Sequence, residues 1–225
     1  MTKVDLNKIV STEAKIQKID KKLMWEVFQG FANNDPSLEN GYNIEAHKPI
    51  VTTIFKYFSG DEDFNSQGVV KNNPSLSKGL LVYGDLGVGK SKLFELIQKT
   101  GREIIQRTGN SRMHFRSISC GQFVSNYMLV SKAREKHSHL EFKIENYYKG
   151  SLYIDDLGIE PLAFNSYELL ESVLFERHRN NALTFVTTNL SVSEISSKYG
   201  ERIGDRLNEM FNFIKWEGKS WRVKK

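Results

Sequence analysis

Lys78-Gly79-Leu80-Leu81-Val82-Tyr83-Gly84-Asp85-Leu86-Gly87-Val88-Gly89-Lys90-Ser91 is the stretch whose reading decides the fold. Leu80 to Tyr83 is a short, partly β-branched apolar run bounded by glycine on both sides, the pattern of a buried strand. From Ser91 onward, Leu93, Leu96 and Ile97 recur at helical spacing. Strand, glycine-rich turn and helix therefore follow in the order of a phosphate cradle. Gly84, Gly87 and Gly89 let the backbone turn its N–H groups inward, where a Cβ would obstruct the approach of phosphate oxygens. Asp85, Leu86 and Val88 complete the binding loop, and the helix N-terminus adds partial positive charge. Lys90 would reach β- and γ-phosphates, and the Ser91 hydroxyl would take one position on Mg²⁺, so ATP with Mg²⁺ is the expected cofactor.

Downstream, the first helix should run to about Arg107, where Thr108-Gly109-Asn110 stops it. Met113 to Ser119 reads as a second strand and a helix follows from about Gln122. Lys132-Ala133-Arg134-Glu135-Lys136-His137-Ser138-His139 is a basic run that reads either as a solvated helix face or as a nucleic-acid contact. His137 and His139, with no cysteine near them, do not make a metal site.

Ser151-Leu152-Tyr153-Ile154-Asp155-Asp156-Leu157-Gly158 is the second landmark. An apolar strand ending in two carboxylates places acid at a sheet's C-terminal edge, where ligands bind in open α/β folds. Asp155 would contact the metal, directly or through water, and Asp156 would orient or deprotonate the attacking water. Because a whole βαβ unit separates the two motifs, the small kinase-like layouts are disfavoured. Tyr167 to Arg179, capped by Asn165 or Ser166, reads as a helix, and Leu183 to Asn189 as a strand. Asn189 would hold the lytic water or touch the γ-phosphate, unless it is a turn-forming asparagine.

Upstream, Thr12 to Phe31 carries apolar residues at Ile16, Ile19, Leu23, Val27, Phe28 and Phe31, with Ser11 or Thr12 as cap. This amphipathic helix either docks on the core or forms a partner-binding arm. Asn33 to Ser37 breaks it, Glu45 to Tyr57 reads as a second helix, and the polar stretch Ser59 to Ser77 as a mobile connection.

The chain has 225 residues, 39% hydrophobic and 26% charged, enough for one α/β domain with an appendage: an arm over residues 1–43 and a domain over 44–225. Thirty-two Lys+Arg against 27 Asp+Glu give a mild net charge of +5, compatible with a polyanion partner. The lone Cys120 excludes an internal disulfide and a cysteine zinc site. With no apolar signal core or membrane-length run, the expectation is a cytoplasmic protein with no membrane partner.

Gly84 to Ser91, Ile154 to Gly158, Thr187-Thr188-Asn189, Gly200-Glu201-Arg202-Ile203-Gly204-Asp205-Arg206-Leu207 and Gly218-Lys219-Ser220-Trp221-Arg222 together resemble the AAA+ ATPases of the DnaC/DnaI helicase-loader family and the related IstB transposition helpers. The likeness extends from about Ile44 to Arg222. It implies a P-loop NTPase of AAA+ type, a three-layer αβα parallel sheet with a short N-terminal helical segment and a reduced lid. It also implies Asn189 as sensor 1, Arg206 as an arginine finger reaching a neighbouring subunit's nucleotide, with Arg202 as competitor, and Arg222 as the sensor 2 arginine. The arginines are open to a plainer reading, surface ion pairs with Glu201, Asp205 or Glu209. Implied partners are a hexameric replicative helicase, single-stranded DNA and further copies of the chain in an ATP-dependent homo-oligomer. Asp156 stands where many AAA+ proteins carry Glu, so slow hydrolysis is expected. The alternatives are an ATPase helper of a transposase and a nucleotide-gated DNA-binding adaptor with little hydrolysis. Phe213 to Trp216 and Ser220 to Val223 would pair as a terminal hairpin across Gly218.

Overall fold

The computed structural model of the chain describes residues 17–38, 42–133 and 142–221. Its elements are α1 (Lys21–Asn33), α2 (Lys48–Ser59), β1 (Gly79–Gly84), α3 (Lys90–Thr108), β2 (Arg116–Ser119), α4 (Cys120–Ala133), β3 (Leu152–Leu157), α5 (Leu169–Arg179), β4 (Thr184–Thr188), α6 (Val192–Tyr199), α7 (Glu201–Met210) and β5 (Phe211–Trp216). The five strands form one parallel sheet in the order β2-β3-β4-β1-β5. From β1 the chain runs out to the β2 edge, returns through β3 and β4, and crosses β1 to reach β5. The carboxyl ends of β1, β3 and β4 thus line one edge of the sheet.

Strand alternation sends the two faces of the sheet into two cores. Leu80, Val82, Phe185 and Ile214 pack with α1, α2 and α3 on one side. Leu81, Ile154, Val186, Phe211 and Phe213 pack with α4 to α7 on the other. Helix, sheet and helix make the three layers. Among the described residues no helix follows β5.

Several element boundaries differ from the sequence reading. The first helix begins at Lys21 because the Asp20 carboxylate accepts the Leu23 N–H at 2.7 Å and caps it there. Residues 12–16 of the expected helix lie outside the described residues. Ile19 and Met24, the two positions of a hydrophobic staple, are both buried in the first core. Met24, Val27, Phe28 and Ala32 turn inward, and Phe28 meets Phe55 of α2 edge-on at 4.5 Å. The arm's apolar stripe is therefore docked on the chain's own core.

Strand β2 is shorter than expected because Ser111 to His114 form a turn, closed by a 2.8 Å bond from His114 N–H to the Ser111 carbonyl. Helix α5 starts at Leu169 rather than Tyr167. Phe164 and Asn165 take positive φ, and Tyr167 forms an antiparallel bridge with Ala163. The segment before β1 is pinned rather than loose: Val70 bridges Ile214, and the Asn212 amide donates to the carbonyls of Ser75, Lys78 and Gly79. Of the expected terminal hairpin, Ser220 and Trp221 form no strand, and residues 222 and 223 lie outside the described residues. β5 spends its backbone on β1 in parallel, and residues 217–221 turn back over the glycine-rich loop.

Candidate nucleotide-binding site

The first wall of the site is the loop between β1 and α3. Gly84, Gly87 and Gly89 have φ of 132°, 78° and 103°, which L side chains rarely adopt. At Gly84 a Cβ would stand 2.3 Å from the Trp216 carbonyl oxygen, so β5 also demands glycine there. Val88 is fully buried and Leu86 is exposed. Lys90 opens α3, yet its side chain is 5% exposed and folds back. Its ammonium donates to the carbonyls of Gly84 (2.9 Å) and Asp85 (2.6 Å) and to Asn189 Oδ1 (2.8 Å).

The second wall comes from β3 and β4. Their register shifts between Ile154 and Leu157, and Asp156 sits at φ 53°. The irregularity interrupts the ladder where the two carboxylates occur, as bulges do next to functional sites. Thr187 fills the gap: its hydroxyl oxygen accepts the Asp156 N–H at 3.3 Å and its hydroxyl donates to Asp155 Oδ1 at 2.7 Å. Tyr153 also donates to Asp155 Oδ1, at 2.6 Å. Burial, then the Asp155 charge, pushes the Tyr153 phenol well above its ordinary range, so it stays protonated and remains a donor.

Between the walls lies a cavity of about 780 Å³ lined by Gly87, Gly89, Lys90, Ser91, Asp155, Asp156 and Asn189. The size suits a nucleoside triphosphate, and the donor set suits its chemistry: glycines of positive φ, a buried ammonium, and a hydroxyl and two carboxylates, the oxygen donors a magnesium ion requires, lining the same cavity. Residues distant in sequence join them. Ser37 and Leu38, Gln98 of α3, Ser117 and Ser119 of β2, Gln122 and Trp221 complete the lining. The tail holds the loop from outside, with Trp221 N–H donating to the Gly87 carbonyl at 3.0 Å and Gly218 N–H to Asp85 Oδ2 at 3.0 Å. Trp221 packs beside Tyr42 and stacks on His47.

The remaining expected residues lie elsewhere. Arg206 does not line the cavity. Its guanidinium sits 5.0 Å over the Phe175 ring and donates to the Arg202 carbonyl, while its Nε is buried without a hydrogen-bond partner. Arg202 is exposed. Arg222 is outside the described residues, as are Arg134 to His139 of the basic run. Cys120 is buried, and burial followed by the Glu160 and Asp155 charges pushes its thiol up, which makes it unreactive. Among the described residues no cluster of His, Cys, Asp and Glu resembles a separate metal centre, and no helix is long and apolar enough to cross a membrane.

Sequence reasoning gave no role to Tyr153, Thr187 or Trp221. The first two carry a readable signal, since each stands two positions before an expected site residue and so shares its strand face. A separate surface was also missed. In the loop after β3, exposed Phe164 and Tyr167 meet Tyr127 of α4, with the Phe164 and Tyr127 ring centroids 6.1 Å apart and the Tyr167 hydroxyl donating to that of Tyr127 at 3.0 Å.

No family model matches the chain, and no curated protein matches it in sequence. Among solved structures, the crystal structure of the DnaC helicase loader is similar over 87% of this chain and 99% of its own, at 20% identity and a TM-score of 0.51. A putative primosome component from Streptococcus pyogenes serotype M3 is 24% identical over 76% of this chain and 83% of its own, with a TM-score of 0.46. DnaI is 20% identical over 91% of this chain and 94% of its own, with a TM-score of 0.46. The parallel sheet, its flanking helices and the glycine-rich loop at its edge give this chain the fold of an AAA+ P-loop NTPase, the fold of the DnaC helicase loader.

Proposed function

We propose that this chain is an ATP-dependent helicase loader that binds and slowly hydrolyses ATP, assembles head to tail on single-stranded DNA and delivers a replicative helicase. The observation that carries the reading is the convergence of Lys90, Asn189 and the Asp155–Asp156 pair on one cavity from three separate strand ends. Likeness of fold to the DnaC helicase loader supports the same reading.

The chain's own residues take these roles. The loop N–H groups from Gly84 to Ser91 hold phosphate oxygens, and Lys90 moves its ammonium from protein acceptors to phosphate, where charge-assisted bonds are stronger. Ser91 and Asp155 hold Mg²⁺. Asp156 orients the attacking water or takes its proton, and Asn189 fixes that water or the γ-phosphate edge. Bound Mg²⁺–ATP supplies the phosphoanhydride that is cleaved and the cation that offsets its charge. Arg206 acts on the nucleotide of a neighbouring copy and Arg222 on its own, through guanidinium forks onto phosphate oxygens. Residues 44–225 form the ATPase domain, against whose core the apolar stripe of α1 is docked.

Single-stranded DNA meets the basic run that follows α4 in sequence and the aromatic surface of Tyr127, Phe164 and Tyr167, since bases stack on exposed rings while lysines and arginines hold phosphates. A labelled nucleotide titrated with and without Mg²⁺, followed by a DNA-stimulated hydrolysis assay, tests the reading. No binding at millimolar nucleotide contradicts it. A second reading, a nucleotide-gated DNA adaptor, is favoured by one residue, Asp156, whose shorter side chain holds water less closely than Glu. Single-turnover hydrolysis on the DNA-bound protein separates the two, because a fast chemical step excludes the adaptor.

A further inference from the structure

Tyr153 lies on the strand that ends in the acidic pair, and its surroundings fix its hydroxyl closely. The ring is 5% exposed and stacks face to face on Phe94 of α3, with centroids 4.6 Å apart and planes 8° from parallel. Phe115 meets it edge-on at 6.1 Å. Held this way, the phenol can turn neither toward solvent nor away from the carboxyl end of the sheet. Its hydroxyl stands 2.6 Å from Asp155 Oδ1 and 2.8 Å from the Thr187 hydroxyl, which itself donates to the same Oδ1 at 2.7 Å. The Ser91 side chain lies beside it as well. The phenol therefore touches both residues to which the proposed function gives the cation.

We propose that Tyr153 is a positioning residue for the divalent cation of this site: with Thr187 it grips Asp155 Oδ1, so that Oδ2 is presented in one fixed direction toward the Ser91 hydroxyl. A carboxylate bound by no second group rotates about its last torsion, and a cation must then pay the entropy of stopping it. Two hydroxyls on one oxygen remove that freedom before the cation arrives, as outer partners do for ligands in other metal sites. Stacking on Phe94 extends the grip to α3, the helix that carries Ser91, so both cation-holding residues are referred to one ring. The inference rests on the functional reading of the site and names a residue that reading does not use.

The test is cation binding, read by the electron paramagnetic resonance signal of free Mn²⁺, in full-length protein with a non-hydrolysable ATP analogue. Wild type, Y153F, T187V and T187S are compared, with labelled-nucleotide affinity in EDTA and urea unfolding measured on each. The half-saturating Mn²⁺ concentration should rise about tenfold in Y153F and in T187V, the size found when outer-shell partners are removed. T187S keeps its hydroxyl and should stay close to wild type. Nucleotide affinity in EDTA should be the same for all four. If Y153F loses stability but binds Mn²⁺ as wild type does, the tyrosine is merely structural and the inference is overturned. If wild type itself shows no cation-dependent nucleotide binding, the functional reading fails first and takes this inference with it.

Discussion

Lys90 donates a 2.8 Å hydrogen bond to Asn189 Oδ1, although 99 positions of sequence separate them. The pairing register explains the meeting. β4 lies directly beside β1 with Tyr83 opposite Thr188, so the residue that leaves β4 faces the loop that leaves β1. The sheet order, more than any local sequence feature, brings the asparagine to the lysine.

That bond separates binding from chemistry. Lys90→Ala removes the buried ammonium, and nucleotide affinity should fall by about tenfold to a hundredfold, the worth of hydrogen bonds to a charged group. Asn189→Ala leaves the lysine its two loop carbonyls, so affinity should stay near wild type while turnover drops about a hundredfold, as when one positioned polar group is lost. Equal losses of affinity in both variants would count against this division. Titration with a labelled ATP analogue beside single-turnover hydrolysis reads the two quantities.

Asp35 gives a prediction about pH. Its side chain is 2% exposed and its carboxylate meets Lys92 at 3.4 Å and Lys99 at 3.2 Å, both on α3. The Ser37 hydroxyl and N–H, with Lys99, hold the Asp35 carboxyl well below the usual range despite burial. The folded value lies below the unfolded one, near 3.9, so the stabilisation is complete above that pH and is lost as the pH falls through it toward the folded value. Asp35→Asn should cost about 1.5–3 kcal/mol at pH 7. The gap from wild type, measured by urea unfolding, should narrow at pH 3, and a gap independent of pH would show that the charge is not the cause.

Phe164→Ala and Tyr167→Ala address the surface proposed for DNA. Each should weaken binding of a labelled single strand by about 1–3 kcal/mol, the range of one base stacked on one ring. Neither ring lines the nucleotide cavity, so ATP affinity should not change. Fluorescence anisotropy at fixed salt measures the first quantity. Unchanged DNA affinity in the double variant would move the DNA contact off this surface.

The sequence made the cavity edge of the sheet legible because each of its parts has a local signature: glycines ending one apolar run, paired aspartates ending another, an amide ending a third. Their order gave the three-layer fold, which the sheet bears out. What it hid depends on contacts with no local mark. Trp221 returns to Gly87 over a long stretch of chain, and Asp35 reaches α3 from the loop after α1. The parallel pairing of β5 was hidden for the same reason. Phe213 to Trp216 has the composition of any strand, and only β1, already in place beside it, decides that it pairs in parallel. The helix start at Lys21 is set by the Asp20 carboxylate, which caps it.

On the proposed function, ATP drives copies of this chain together on single-stranded DNA, with Arg206 of one copy acting on the nucleotide of the next. Mass by light scattering on a defined single strand, in ATP and in ADP, beside Arg206→Ala, tests it most directly. A multi-subunit complex should form in ATP and be lost in ADP and in the variant, since a ligand bound between subunits favours the assembly. A protein that binds ATP yet stays monomeric on the strand would contradict it.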